Sequence, residues 1–216
     1  MLRFFGIFFL LLGLAAGTEG LLAQDVNLDV NAFVHVTFKG LKPTIYSNDG
    51  PDLIAKAHAS ASFLLLPFTQ IRIVKMVSFV WQGEALSAVK NPTHEATKDG
   101  DDAALRIGLI LAGDPPLIPY FAPSWLKAVR GVLKLPSNKM IFLVAGARHN
   151  PGEIWRNPMS DSIEYVAVGD HSKADGWRTA EVPLQGSKEL VGLWIMADGD
   201  NTESKFTTRL RNLRLD

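Results

Sequence analysis

The stretch from Ile71 to Trp81 reads IRIVKMVSFVW, and it decides the fold. Successive side chains of a β-strand point to opposite faces, so a strand here would place the odd-numbered residues on one face and the even-numbered residues on the other. Both sets are apolar over much of the run. The pattern therefore predicts a strand at the centre of a sheet.

The chain after residue 23 is mostly typical of β-strands. Turn-forming clusters of Gly, Pro, Asn and Asp separate short apolar runs. The further predicted strands are Ala32–Phe38, Asp52–Ser60, Ala61–Leu66, Ala103–Leu111, Lys139–Ala145, Ile163–Val168, Trp177–Val182, Leu190–Met196 and Lys205–Leu215. About ten short strands with few helical patterns predict an all-β fold, an antiparallel sandwich or barrel. Neither a composition shift nor a repeat divides residues 24–216, which we expect to form a single domain.

One segment, from Ser124 to Lys134, has the period of a helix instead. Its apolar residues form one stripe with basic residues opposite, and Ser124 can cap the start. The stripe consists of Trp125, Leu126, Val129, Val132 and Leu133. A basic amphipathic helix that carries a Trp can lie on a membrane surface. Because the segment is only about three turns long, we favour a helix that covers one end of the sandwich.

Composition excludes several classes of protein. The 216 residues are 47% apolar and 20% charged, which is enough to bury a sizeable core. Lys and Arg number 22, as do Asp and Glu, so the formal net charge is zero and nothing suggests a nucleic-acid partner. The chain contains no Cys, which excludes disulfides, thiolate metal sites and Cys nucleophiles.

The first segment, residues 1–23, has the order of a secretory signal peptide. Arg3 precedes an apolar run of about 13 residues, and small residues follow at Gly17 and Ala23. The run is shorter than the roughly 20 residues that span a bilayer. We expect cleavage after Gly17 or Ala23 and a periplasmic or secreted protein without a transmembrane helix. The alternative is an uncleaved N-terminal anchor.

Known catalytic motifs do not occur in the chain. It contains no Gly-x-Ser-x-Gly elbow, no phosphate-binding loop that ends in Gly-Lys-Ser/Thr and no Gly-x-Gly-x-x-Gly. No two of its five His residues have the spacing of a zinc site. Sequence motifs therefore do not indicate an enzyme class.

Two acidic loops carry more information. Asp101 and Asp102 precede a strand that contains Arg106, and Asp198 and Asp200 follow another apolar strand. Carboxylates at turns are oxygen ligands of the type that calcium prefers, so a structural calcium is the candidate cofactor and these four Asp residues are the candidate ligands. The spacing is not that of an EF-hand.

Two other interpretations of these loops remain open. The Asp residues can simply shape the turns, with Arg106 pairing one carboxylate. Alternatively, two of them can act as an acid/base pair for glycoside cleavage, which needs a separation of about 5–10 Å. Carboxylates of the two loops within about 6 Å of each other would indicate a shared site, because like charges at that distance repel.

Aromatic residues suggest a binding site for a sugar. Trp155 lies in a polar loop and is the best candidate for stacking on a sugar ring, and Trp81 at the end of a strand is the second. Arg106 and Asn201 can hydrogen-bond to hydroxyl groups. Burial is the ordinary state of a Trp side chain, so each assignment competes with a place in the core.

Several motifs in this order resemble the bacterial domain-of-unknown-function family 3047, from about Ile45 to the C-terminus. The matching stretches are Ile54–Ser62, Lys98–Arg106, Trp155–Pro158, Gly176–Arg178 and Trp194–Thr202. The resemblance implies an exported protein with a jelly-roll-like β-sandwich similar to carbohydrate-binding modules. No activity is assigned to the family, so the resemblance supports a fold more than a function.

Three functions fit the sequence. The leading hypothesis is an exported, non-catalytic β-sandwich that binds a glycan or another component of the cell envelope. The second is an enzyme that acts on a polysaccharide through the loop aspartates. The third is a structural partner in an envelope complex, with Ser124–Lys134 as the contact.

Overall fold

The computed structural model describes residues 24–115 and 123–216; the predicted signal peptide, residues 1–23, lies outside them. The strands are β1 Gln24–Asp25, β2 Val34–Thr37, β3 Ile45–Asp49, β4 Asp52–His58, β5 Ser62–Gln82, β6 Ala103–Ala112, β7 Ser137–Ala145, β8 Ile154–Asn157, β9 Ser160–Ala167, β10 Asp170–Ser172, β11 Trp177–Asp198 and β12 Lys205–Leu215. The helices are α1 Pro92–Glu95 and α2 Ser124–Val132, with short 3-10 turns at Val30–Ala32 and Lys98–Gly100. The predicted all-β class is confirmed.

Two long strands fold the sheet into a sandwich. Hydrogen bonds join the strands in the order β3-β4-β12-β5-β11-β6-β7-β9-β8, with β1, β2 and β10 attached to β12, β5 and β11. The first half of β5 pairs with β2 on one side and with the second half of β11 on the other. The second half of β5 pairs with β12 and with the first half of β11. The first layer therefore contains β2, β6, β7, β8 and β9, and the second contains β1, β3, β4, β10 and β12. The apolar core between the layers draws side chains from both.

The lengths of β5 and β11 differ from the prediction. Each merges two predicted strands, because neither break in the apolar pattern ends the hydrogen bonding. Between Pro183 and Lys188 the extra residues lie in β11, whereas between Leu190 and Gly192 the extra residues lie in β5, before Arg72. These irregularities bend the paired strands without ending them.

A bulge also divides the deciding stretch. The amides of Lys75 and Met76 both donate to the carbonyl of Asp216, so two residues of β5 oppose one of β12. The inward face consequently changes between Val74 and Val77, both of which are buried. The expectation of one unbroken alternation to Trp81 was wrong, but the central position of β5 is confirmed.

The strand pairing is antiparallel with one exception among the described residues. β7 and β9 pair in parallel, because β8 intervenes in sequence and pairs with the far side of β9. β8 is consequently the edge of the first layer. The expectation of a purely antiparallel sandwich was wrong at this pair. The jelly-roll-like arrangement and the single domain remain predictions.

The predicted helix forms, but at another place. α2 packs through Val129 on the outer face of the first layer, in an apolar cluster with Phe63, Phe142 and Trp194. It does not cover an end of the sandwich, because the first layer is apolar on both faces and its outer face needs a cover. Within residues 24–115 and 123–216, no helix is long and apolar enough to cross a membrane.

Candidate functional site

The two acidic loops meet at one end of the first layer. β6 begins at Ala103, directly after Asp101 and Asp102, and its antiparallel neighbour β11 ends at Asp198, opposite Ala103. Because antiparallel neighbours begin and end at the same edge, the pairing brings both loops together. Arg106 faces outward from β6 between them, and we call the group around it the Arg106 network.

Arg106 is the centre of this network. Its Nη2 donates to Oδ1 of Asp101 at 2.7 Å and its Nη1 donates to Oδ2 of Asp198 at 2.8 Å. All three side chains are almost fully buried, at 4 to 6% exposed. Both ion pairs are therefore shielded from water, which strengthens them and makes them costly to break.

Tyr165 of β9 continues the network to the edge of the layer. The hydroxyl of Tyr165 donates to Oδ1 of Asp101 at 2.8 Å and accepts from the side-chain amide of Asn157. The guanidinium of Arg106 lies 5.1 Å from the centre of the Tyr165 ring, within the range of a cation–π contact. Burial raises the pKa of Tyr165, so its hydroxyl stays a donor to the carboxylate.

Asp102 holds the second acidic loop in place. Its Oδ2 accepts from the amide and hydroxyl of Thr202 at 2.7 and 2.6 Å, and its Oδ1 accepts from the backbone amide of Asn201 at 3.3 Å. The side chain of Asn201 also donates to the carbonyl of Asp101 at 3.2 Å. Hydrogen bonds to the first acidic loop thus hold the second loop in its conformation, as expected if the Asp residues shape the turns.

Three carboxylates converge beside these contacts. One oxygen each of Asp102, Asp198 and Asp200 lies within 4.8 Å of the others, which is closer than the separation we set for a shared site. The Oδ1 of Asp198 is buried and has no hydrogen-bond donor among the described residues. Burial raises the pKa of Asp198 well above its usual range; Arg106 opposes this shift, whereas the neighbouring carboxylate of Asp200 adds to it. These groups are the ones that could hold a metal ion.

Trp155 stands at the exposed rim of the network. It lies on β8 and is half-buried, with its ring tilted against Tyr165 at 5.2 Å and stacked on His149 at 4.0 Å. His149 in turn contacts Oε2 of the buried Glu95 through Nδ1 at 2.7 Å. The indole is therefore fixed in one orientation by neighbours on two sides.

The structure places the other predicted ligand residues differently. Trp81 is fully buried at 0% exposure in the core between the layers, so it offers no face to a ligand and its proposed role is corrected. Arg106 is engaged by two carboxylates, and Asn201 is engaged by the first acidic loop. Asp101 is engaged by Arg106 and Tyr165 and lies outside the carboxylate cluster, so its predicted role as a metal ligand is corrected. Trp155, Asp102, Asp198 and Asp200 remain as candidates.

Sequence reasoning missed three residues of the site. Tyr165 lies in a predicted strand, Asn157 lies in the segment predicted as a polar loop around Trp155, and Glu95 lies in a short polar segment without a motif. Their only signal is chemical, since a Tyr hydroxyl, an amide and a carboxylate that become buried need partners. Finding those partners requires the register of β9 against β7, which the sequence does not contain.

The fold and site define a class of protein: a two-layered β-sandwich, covered on one face by a helix, with a buried Arg–Asp network where two acidic loops meet. The chain belongs to the family described as Protein of unknown function (DUF3047), which matches residues 31–214 and so includes the whole network. The predicted family membership is confirmed. No curated protein matches the chain.

Proposed function

We propose that this protein is an exported, non-catalytic β-sandwich that binds a glycan or another component of the cell envelope at the rim around Trp155. The observation that carries the proposal is the setting of Trp155. The half-buried indole is fixed by stacking on His149 and by a tilted contact with Tyr165, and the exposed part of its ring can pack against the apolar face of a sugar ring. Because the ring is already ordered, binding costs little conformational entropy.

Polar groups near the indole support a sugar as the ligand. Glu153 lies two residues before Trp155 and is exposed. Its carboxylate can accept from the hydroxyl groups of a sugar. An aromatic surface with a few polar groups around it is the usual composition of a small-molecule or sugar site.

Burial of the aspartates favours binding over glycoside cleavage. A general acid must reach the glycosidic oxygen and a partner carboxylate must reach the sugar ring. Asp102 is 1% exposed and Asp198 is 4% exposed, and both are engaged by protein groups. Asp200 alone of the three is partly accessible, and one accessible carboxylate does not make the required pair.

The test is a titration of the purified protein with soluble cell-envelope polysaccharides, followed by calorimetry and Trp fluorescence. We expect one or more glycans to bind, and Trp155→Ala to weaken that binding at least about tenfold, because stacking on an aromatic ring is lost. Trp125→Phe is the matched control, since Trp125 is a half-buried Trp on α2 whose ring contacts Phe38 and Trp194 rather than His149 and Tyr165. Its affinity should equal that of the wild type.

Three outcomes would overturn the proposal. The first is the absence of heat and fluorescence change with every glycan, and the second is equal binding by Trp155→Ala. The third is the release of new reducing ends during incubation, which would identify an enzyme.

Export has its own test, because it rests on the signal-like pattern of residues 1–23. Expression of the full chain in a bacterial host, with fractionation and intact-mass measurement, should place the protein outside the cytoplasm and shortened at Gly17 or Ala23. Full-length protein in the cytoplasm would contradict export, and full-length protein in the membrane fraction would identify an anchor.

A further inference from the structure

We propose that Asp102, Asp198 and Asp200 together bind one divalent cation, and that calcium is the ion they suit best. The site joins the start of β6 to the end of β11. It does not depend on glycan binding at Trp155, so either proposal can fail alone.

The charge balance of the Arg106 network is the first argument. Arg106 pairs with Asp101 and Asp198, and the carboxylates of Asp102 and Asp200 lie beside Asp198, so these five groups carry three negative charges in excess when all are ionised. Like charges within 4.8 Å of each other in a buried setting repel strongly. A divalent cation would remove most of that excess.

The free oxygen of Asp198 is the second and independent argument. The side chain of Asp198 is 6% exposed, and while Oδ2 receives the Arg106 hydrogen bond, Oδ1 has no donor among the described residues. A buried carboxylate oxygen without a partner carries a large desolvation cost, so native proteins rarely leave one. Either a cation or a proton shared with Asp200 would satisfy it, and the experiment below distinguishes the two.

Ligand chemistry favours calcium. The three groups are carboxylate oxygens, which are hard ligands of the kind that calcium and magnesium take and that zinc and copper seldom use alone. Calcium–oxygen distances are about 2.3–2.6 Å, so oxygens within 4.8 Å of one another can contact one calcium ion. Calcium accepts a flexible set of protein oxygens, whereas magnesium demands near-ideal octahedral geometry and gives up its water ligands reluctantly.

The hydrogen bonds of Asp102 make this arrangement stable before the ion arrives. Because Asn201 and Thr202 donate to Asp102, the loop that carries Asp200 is already folded against the loop that carries Asp102. Ion binding therefore requires little further ordering of the two loops. An ion bound there would tie the two loops further and protect them from opening.

The experiment is calorimetric titration of the full chain, freed of metal with EDTA and then dialysed, with CaCl₂ and separately with MgCl₂. We expect calcium to bind with a Kd of about 1 mM or tighter and more tightly than magnesium. Saturation at about 100-fold excess over Kd should raise the Tm by about 5–10 °C. Asp200→Asn, at the half-buried position, should weaken calcium binding at least about tenfold, because one ligand charge is lost.

Asp99→Asn is the matched control, since Asp99 lies in the same acidic loop but is exposed and outside the cluster. Its calcium affinity should equal that of the wild type. Absence of both calcium heat and Tm shift in the wild type would overturn the proposal and would leave the shared proton as the partner of Asp198. Equal calcium binding by wild type and Asp200→Asn would overturn it too, because the ion would then bind elsewhere.

Discussion

Arg106 and Asp198 lie 92 positions apart in the chain, yet Nη1 of Arg106 and Oδ2 of Asp198 are 2.8 Å apart in a buried ion pair. The pairing of β6 with β11 produces this contact, because it sets Met196 opposite Arg106 and Asp198 opposite Ala103. A buried ion pair adds little net stability, since both charges lose their hydration. Its removal on one side only is costly, however, and this asymmetry makes the network testable.

Arg106→Met should lower the free energy of unfolding by about 3–5 kcal/mol, because it leaves Asp101 and Asp198 buried without their cation. Urea unfolding at neutral pH measures the change. Arg156→Met, at an exposed position of β8, is the control and should stay within about 0.5 kcal/mol of the wild type. A loss below about 1 kcal/mol for Arg106→Met would show that the carboxylates find other partners.

Asp102→Ala should open the loop after β11. It removes the acceptor of Thr202 and Asn201, and each hydrogen bond to a charged group contributes about 1.5–3 kcal/mol. We expect faster hydrogen exchange at the amide of Thr202 and a lower free energy of unfolding. Unchanged exchange at that amide would mean that the turn holds itself, without help from the first acidic loop. Asp99→Ala should leave both quantities unchanged, because Asp99 is exposed.

The two-residue period predicted most strands because a strand with a buried face must alternate. It could not show that Pro67 lies inside β5 or that residues 184–187 form a bulge inside β11, since a break in the apolar pattern is the same for a bulge and for a turn. The change of face at Lys75 and Met76 is equally invisible, because it depends on the pairing with Asp216.

The candidate site was predictable in part for a similar reason. Clustered Asp residues at the ends of strands indicated Asp101, Asp102, Asp198 and Asp200, because turns display short carboxylates. That the loops meet depends on β6 lying next to β11, which the sequence does not specify. The parallel register of β9 on β7 places Tyr165 beside Asp101. The sequence predicts Tyr165 as a strand residue and does not show that its hydroxyl donates a hydrogen bond to that carboxylate.

Gly100→Ala should destabilise the protein through the first acidic loop. A Cβ at residue 100 would lie 2.2 Å from the carbonyl oxygen of His94 in α1, which is far too close. The backbone must shift next to Asp101, at a cost of about 1–3 kcal/mol. Gly131→Ala is the contrasting variant, because a Cβ there has open space on helix α2 and should stabilise by about 0.5–1 kcal/mol. Thermal unfolding of both variants checks the pair, and equal Tm values would contradict the steric argument.

The pH dependence of stability should reveal Asp198 in the metal-free protein. Burial raises the pKa of Asp198 in the folded chain above its usual value of 3.8; Arg106 opposes this shift and the neighbouring carboxylate of Asp200 adds to it. A raised pKa means that the folded state holds the proton more tightly than the unfolded state does. The contribution of Asp198 to stability is therefore fully present below 3.8 and is lost as the pH rises through the raised pKa.

Asp198→Asn cannot titrate, yet it keeps an oxygen that can accept from Arg106. With EDTA present, the free energy of unfolding of the wild type minus that of Asp198→Asn should fall from about pH 4 to about pH 8, as measured by urea unfolding at each pH. A difference that rises with pH would mean that Arg106 outweighs burial and lowers the pKa of Asp198. Added calcium should flatten the profile if the ion replaces the proton between the carboxylates, because the negative charge that grows with pH is then neutralised.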